Sequence, residues 1–183
     1  MQIETIDNYE FIKFQYENAV VLFSTAKDGL NFNKNTEKGL LNLEAIKEHY
    51  NLQDIGYLNQ IHSDIIVNYN GNTYDGDALI TDTTQIAIGV FTADCVPVIL
   101  VDIQKGVIAA VHSGWKGTKA LIVSKTIERL KENYNSKAQD IRAFIGPHIG
   151  GCCYEVSKEL IEEFTSEDIY SNIKISNNFL NLI

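Results

Sequence analysis

At 183 residues, with 45% apolar and 21% charged side chains, the chain has ordinary globular composition and the length of one domain with a self-sufficient core. A formal net charge of −9 and the lack of any Lys/Arg-rich stretch exclude broad contact with nucleic-acid backbones or anionic membranes, so an anionic substrate needs a local positive site. Three cysteines, two of them adjacent at Cys152 and Cys153, make no disulfide framework and suit a reducing compartment.

The N-terminus "MQIETIDNYEFIKF" carries acids early and lacks a basic leader followed by an apolar run, which argues against a secretory signal. The longest apolar stretch, residues 86–101, is interrupted by Thr92, Asp94 and Pro97, so no membrane span is expected. A cytoplasmic protein is the expectation. "AVVLFST", residues 19–25, reads as a strand closed by the turn "KDGLN". Helical spacing follows from about residue 35 to 50, capped by Asn35 or Thr36, with Leu40, Leu43, Ile46 and Tyr50 on one narrow face. The segments "IGYLNQI", "DIIVNY", "DALIT", "IAIGVF", "VPVILVD" and "GVIAAVH" then read as short strands, several of them covered on both faces. A second helix is predicted from near Gly117 to about Asn133, presenting Ala120, Val123, Ile127 and Leu130 on one side. "IRAFIG" reads as a strand, "YEVS" opens a further element and "SKELIEEF" is a short amphipathic helix. Together these predict an α/β fold with a sheet between helices, without repeat or linker.

Chemistry gathers where the apolar runs stop. His62 follows "YLNQI", Asp94 and Cys95 follow "GVFTA", and His112 ends "VIAAVH" directly before a Gly-rich turn. Strand ends beside turns are where a sheet scaffold presents reactive groups. Imidazole and thiolate are the donors zinc prefers, and three protein ligands leave one tetrahedral position open. No short local motif such as HExxH links the three, so two other readings stand beside the metal site: Cys95 as a small buried hydrophobe, or a Cys95–His112 nucleophile pair. In "HSGWKGTKA", Gly114 and Gly117 allow close backbone approach, and free N–H groups with Lys116 favour an anion; the alternative is a plain strand-to-helix turn with Trp115 packed as a lid. "IGPHIGGCCYEV" is a second glycine-rich loop, whose His148 faces either the site or solvent.

Taken together and in order, "NQIHSD", "GDALIT", "TADCVPVIL", "VHSGWKGT" and "IGPHIGGCCYEV" resemble the YfiH/YlmD family, also called the multicopper polyphenol oxidase or laccase-domain family and the peptidoglycan editing factor family. The match runs over residues 59–156. The resemblance implies an α/β fold with a mixed β-sheet packed between α-helices, and zinc on His62, Cys95 and His112. It implies purine nucleoside phosphorylase activity, with adenosine deaminase and methylthioadenosine phosphorylase activities in some members. In that setting Asp94 or Asp77 would orient a ligand or move a proton, and Lys116 with Gly114, Gly117 and His148 would line the nucleoside and phosphate site. Asp64 is a weak substitute for the glutamate of zinc deaminases, whose signature is absent.

Three departures stand out: Lys116 replaces the family's usual arginine and loses bidentate phosphate geometry, Gly151 stands where proline is common, and residues 1–183 are expected to form a single YfiH-like domain without the family's C-terminal segment. A Cys–His hydrolase acting on peptidoglycan precursors and a non-catalytic binding protein are the rival functions. Copper polyphenol oxidation is disfavoured because the chain has four histidines. The oligomeric state is unspecified by the sequence.

Overall fold

The protein is described by a computed structural model covering residues 1–170, 172–176 and 178–183. The chain opens with a three-stranded antiparallel meander, β1 (Gln2–Ile6), β2 (Tyr9–Tyr16) and β3 (Ala19–Ser24), whose period-two alternation separates two apolar faces. Tyr9, Phe11 and Leu22 face one side, where they pack with Leu30, Phe32, Ile46 and Tyr50. Ile12, Phe14, Val21 and Phe23 face the other. Of these strands only β3 was marked by the sequence; β1 and β2 are interleaved with charge and their apolar positions fall among Glu, Lys and Gln.

Helix α1 (Glu37–His49) is capped by Thr36, whose hydroxyl accepts from the Gly39 N–H at 3.2 Å. Its expected apolar face holds in part. Ile46 packs against the meander, but Leu40 is 48% exposed, and Gly39 and Asn42 are the buried positions. The helix turns further than the stripe implied because the Asn42 amide donates to the Asn31 carbonyl at 2.7 Å, drawing that face inward.

Two short parallel strands, β4 (Asp54–Gly56) and β7 (Ile86–Ile88), form a separate pair. Between them in sequence lie β5 (Ile66–Asn68) and β6 (Ala78–Thr81), which join β8 (Val96–Asp102), β9 (Val107–Ser113) and β10 (Ile141–Ile145) in a five-stranded sheet of order β10-β8-β9-β6-β5. Its β5–β6 pairing is parallel and the others antiparallel, so the sheet is mixed. The uninterrupted apolar runs of β6, β8 and β9 follow from burial on both faces.

One face of this sheet carries Ala78, Ile80, Val98, Leu100, Ala109 and Val111, covered by Ile122 and Leu130. The other carries Ile99, Val101 and Ile108, which meet Val21 and Phe23 of the meander. Four layers result: α1, the meander, the five-stranded sheet and the helix bearing Ile122 and Leu130. The expected mixed sheet between helices is therefore present, with a second sheet interposed on one side.

The single helix predicted after "HSGWKG" is two. α2 (Trp115–Lys119) ends at Ala120, and α3 (Ile122–Tyr134) starts after Leu121, which adopts a left-handed conformation with φ of 60°. That break redirects the chain so that Ile122, Val123, Ile127 and Leu130 lie on the sheet. α4 (Lys158–Thr165) is capped by Ser157. The two-residue strands β11 (Ile175–Ser176) and β12 (Phe179–Leu180) close the described chain. "YEVS" forms an isolated bridge from Glu155 to Phe179 and, through its Ser157, opens α4. Among the described residues no helix is long and apolar enough to cross a membrane.

Leu100 is fully buried at the sheet–α3 interface. Leu100→Ala is expected to lower the unfolding free energy by about 2–5 kcal/mol, read by urea denaturation at unchanged m-value.

Candidate metal and substrate site

Asp77 stands immediately before β6 and is 0% exposed. Its carboxylate accepts hydrogen bonds from the backbone N–H groups of Ile61 (3.3 Å), His62 (3.0 Å) and Ser63 (2.6 Å), and from the Ser63 hydroxyl (2.7 Å). These bonds wrap the loop after β4 around one buried anion. They also hold His62 at φ 58°, a left-handed conformation that a residue with a side chain adopts at a cost.

The same carboxylate takes His112, at the end of β9, by its ring Nδ1 at 2.7 Å, while the His112 backbone N–H donates to the Asp77 carbonyl at 2.7 Å. A carboxylate only accepts, so Nδ1 carries the proton and Nε2 keeps its lone pair. Burial pushes the His112 pKa down, and this outweighs the upward pull of Asp77, so the neutral ring persists. For Asp77, burial acts upward, but the bonds from His112 and Ser63 outweigh it and hold the carboxyl below its ordinary range.

Cys95 directly precedes β8, which pairs with β9 so that Pro97 lies opposite His112. Its Sγ is 3.9 Å from His62 Nε2, and the His62 and His112 rings meet edge to face at 4.9 Å. One donor atom from each of His62, Cys95 and His112 lies within 4.8 Å of the others. Among the described residues this is the only such group of three. The donor set, two imidazoles and a sulfur, is one that zinc accepts, and the exposed His62 side leaves the group open to solvent. A fourth feature fits an ion there. A Cβ at Gly114 would stand 3.1 Å from both Cys95 Sγ and His62 Cδ2, so any side chain at that position would crowd the cradle.

The nucleophile reading fares less well. Burial pushes the Cys95 thiol up, and the charges of Asp94 and Asp77 push it further the same way, which disfavours a free thiolate. A cation among the three donors would reverse that balance.

The other predicted residues are distributed as follows. Asp94 is exposed and its carbonyl accepts from the Ile149 N–H at 2.9 Å, which ties the glycine-rich loop of residues 146–156 to the rim. Asp77 has both oxygens engaged and no exposed surface, which suits it to holding groups in place rather than exchanging protons with a substrate. Lys116 is exposed, its ammonium 5.5 Å from the Trp115 ring centre, and Gly117 is buried against Ile122 and Ser63. α2 has only five residues, so any anion there depends on the Lys116 charge. The His148 ring shares a 2.7 Å hydrogen bond with the Gly146 carbonyl and stands outside the three-donor group. Asp64 pairs with Lys125 and so is drawn away from a catalytic role.

Two contributors went unread in the sequence. The Gln60 amide donates to the Phe91 carbonyl and accepts from the Phe91 N–H, both at 2.7 Å, fastening the His62 loop to the loop that leads to Cys95. Half-buried Tyr154 has its phenol pushed up by burial, with a further push from Cys95. Both residues sit inside the motif blocks, "NQIHSD" and "GGCCYEV", and that position was their available signal.

Asp77→Ala leaves several donors facing a buried void, and a loss of about 3–5 kcal/mol is expected in denaturant unfolding. The contribution of Asp77 is fully present above its unfolded pKa near ~3.9 and is lost as pH falls through its lower native value, because the unfolded chain binds the proton more tightly. The stability gap between the wild type and Asp77→Asn should therefore narrow below about pH 4, as followed by pH-dependent denaturation.

Comparison with known proteins agrees with this picture. The profile of the family described as multi-copper polyphenol oxidoreductase laccase matches residues 21–181. A Clostridium acetobutylicum protein named purine nucleoside phosphorylase is 51% identical over 172 residues, 93% of this chain and 73% of that protein. A protein named adenosine deaminase RL5, from an unknown prokaryotic organism, is 43% identical over 88 residues, 48% of this chain and 33% of its own. The crystal structure of a Neisseria meningitidis protein of the DUF152 family superposes with a TM-score of 0.79 at 27% identity, covering 94% of this chain and 78% of that one. From the extent of the profile match and the identity to a relative mostly spanned by the alignment, the chain belongs to the multi-copper polyphenol oxidoreductase laccase family.

Proposed function

We propose that this chain is a zinc-dependent purine nucleoside phosphorylase, working on purine nucleosides and phosphate as small-molecule substrates. The observation that carries the reading is the convergence of His62, Cys95 and His112 on one open point, in a chain 51% identical over 172 residues to a protein named purine nucleoside phosphorylase. His112 would ligate through Nε2, with its ring orientation and tautomer fixed by Asp77. His62 and Cys95 would complete a three-donor set. A divalent ion held there supplies Lewis-acid polarisation of a substrate oxygen.

In phosphorolysis a phosphate oxygen forms a bond to ribose C1′ while the C1′–N9 bond breaks, and the purine leaves with a proton. Lys116 would neutralise the attacking phosphate, as a point charge rather than a bidentate clamp. Gly114 leaves bare backbone at the floor, so that both reactants approach within reach. Asp94, exposed at the rim, would meet the leaving base, while Asp77 would keep His112 and His62 in position.

Adenosine deamination is a second reading, favoured by the likeness to the deaminase-named relative. There water replaces the C6 amino group and ammonia leaves. Phosphate dependence separates the two: adenine and ribose 1-phosphate form in the first case, inosine and ammonia without phosphate in the second.

Elemental analysis together with a phosphorolysis assay tests the proposal. Wild type is expected to hold about one zinc per chain, and Cys95→Ala to lose it together with at least ~100-fold in turnover. Lys116→Ala should raise the KM for phosphate more than it lowers kcat. Full phosphorolysis by metal-stripped wild type would refute the metal role.

A further inference from the structure

The second glycine-rich loop carries chemistry that the three-donor group does not use: Cys152 and Cys153 are both exposed, and neither is in a disulfide. Their Sγ atoms lie 3.3 Å apart, and among the described residues each is the other's only hydrogen-bond partner. Adjacent side chains in extended backbone point to opposite faces. A tight turn brings these two to the same side. The Gly150 carbonyl accepts from the Cys153 N–H at 2.9 Å and from the Tyr154 N–H at 3.1 Å, curling residues 150–154 around one oxygen. Both ends of the curl are anchored, by the Ile149 N–H on the Asp94 carbonyl at 2.9 Å and by the Leu180 N–H on the Tyr154 carbonyl at 3.0 Å. Behind the turn Gly151 packs on Asn181, whose Cβ would stand 2.9 Å from any Cβ at position 151.

Two features define what this pair can hold. The first is the sulfur separation. An ion with sulfurs at ~2.3 Å spreads two of them to ~3.8 Å in tetrahedral geometry and to ~4.6 Å in linear geometry, whereas bonds of that length at right angles set them ~3.3 Å apart. Bonds near right angles belong to pyramidal trivalent centres, and arsenic and antimony are the thiophilic elements of that kind. The second feature is the number of donors. His62, Cys95 and His112 are the only group of three such side chains among the described residues, so Cys152 and Cys153 have no third His, Cys, Asp or Glu beside them. Zinc takes three or four protein ligands. A trivalent arsenic that already bears one carbon substituent needs only two. Direct closure of the pair into a disulfide is opposed by the backbone, because consecutive Cα atoms stand ~3.8 Å apart and a disulfide spans ~4.4–6.8 Å.

We propose that Cys152 and Cys153 form a chelating site for trivalent thiophilic metalloids, with monosubstituted arsenic(III) compounds as the ligand class. In the reaction two S–H bonds and two As–OH bonds break, two As–S bonds form, and the protons leave with the hydroxyls as two waters. Arsenic stays trivalent and no electrons are exchanged. Cys152 pushes the Cys153 thiol up through its hydrogen bond and its charge, so the pair resists carrying two negative charges at once. The chelate removes that conflict, since both sulfurs end up bonded and neutral. The three-donor group offers a single sulfur and can form only one such bond, so the two sites sort soft ligands by the number of thiols they demand. Tyr154, the next residue, lies near enough to Cys95 for its charge to raise the phenol, which puts the chelate at the rim of the three-donor group.

The test uses the purified, reduced 183-residue chain and phenylarsine oxide, which hydrates to the dihydroxy arsenic(III) form. The expected result is a single phenylarsenic unit per chain by intact-mass spectrometry, mapped to the peptide that holds Cys152 and Cys153, retained in excess glutathione and released by dithiothreitol. Cys152→Ser and Cys153→Ser should each weaken binding at least ~100-fold, because attachment at two points becomes attachment at one. Both side chains are exposed, so circular dichroism should stay unchanged in either variant. Cys95→Ser should bind as the wild type does. Attachment at Cys95, release from the wild type by glutathione, or glutathione-resistant binding that survives in both single variants would each overturn the proposal. Neither readout involves zinc or turnover, so the outcome stands apart from the phosphorylase reading.

Discussion

A single buried carboxylate organises the functional end of the molecule. Asp77 is surrounded by donors from two directions: the backbone of Ile61, His62 and Ser63 on one side, and the His112 ring on the other. Charge-assisted bonds of this kind are stronger than neutral ones, and burial makes them costly to leave unmade. The anion therefore sets the left-handed turn at His62 and the proton position on His112 together. Two of the three converging donors owe their orientation to one side chain that itself never reaches the surface.

The third donor is placed by the sheet. Cys95 precedes β8, and the antiparallel register of β8 with β9 brings the start of one strand beside the end of the other. The Gln60 amide closes the remaining gap by fastening the His62 loop to Phe91. Sheet register, a buried anion and an amide clamp are independent devices, and they converge on one point about as wide as a metal coordination sphere.

Much of this was legible in the residues. Apolar runs such as "VPVILVD" and "GVIAAVH" mark strands buried on both faces, and polar residues at their ends mark the rim. What the pattern could not reveal depends on distant partners. β1 and β2 alternate with charge because each face of the meander is only partly covered, and so they resemble a surface segment until α1 and the second sheet are seen to cover them. The break at Leu121 lacks a Gly or Pro, so nothing local announces it; contact of Ile122 and Leu130 with the sheet selects it. Asp77 was recognisable as chemical, yet its work as an anchor emerges only from the loop folded around it. Leu40 illustrates the reverse error, a periodic apolar residue that stays outside because α1 turns on Asn42.

Gly114 has a further implication for how the site can diversify. A methyl group there would stand 3.1 Å from both Cys95 Sγ and His62 Cδ2 and would push those two donors by a few tenths of an ångström, so that wall is best kept at bare backbone. Adjustments of shape or selectivity disturb the three donors least when made in the facing rim, around Asp94 and the loop carrying His148 and Tyr154. Members of the family with different ligand preferences would share the floor and differ at the lip.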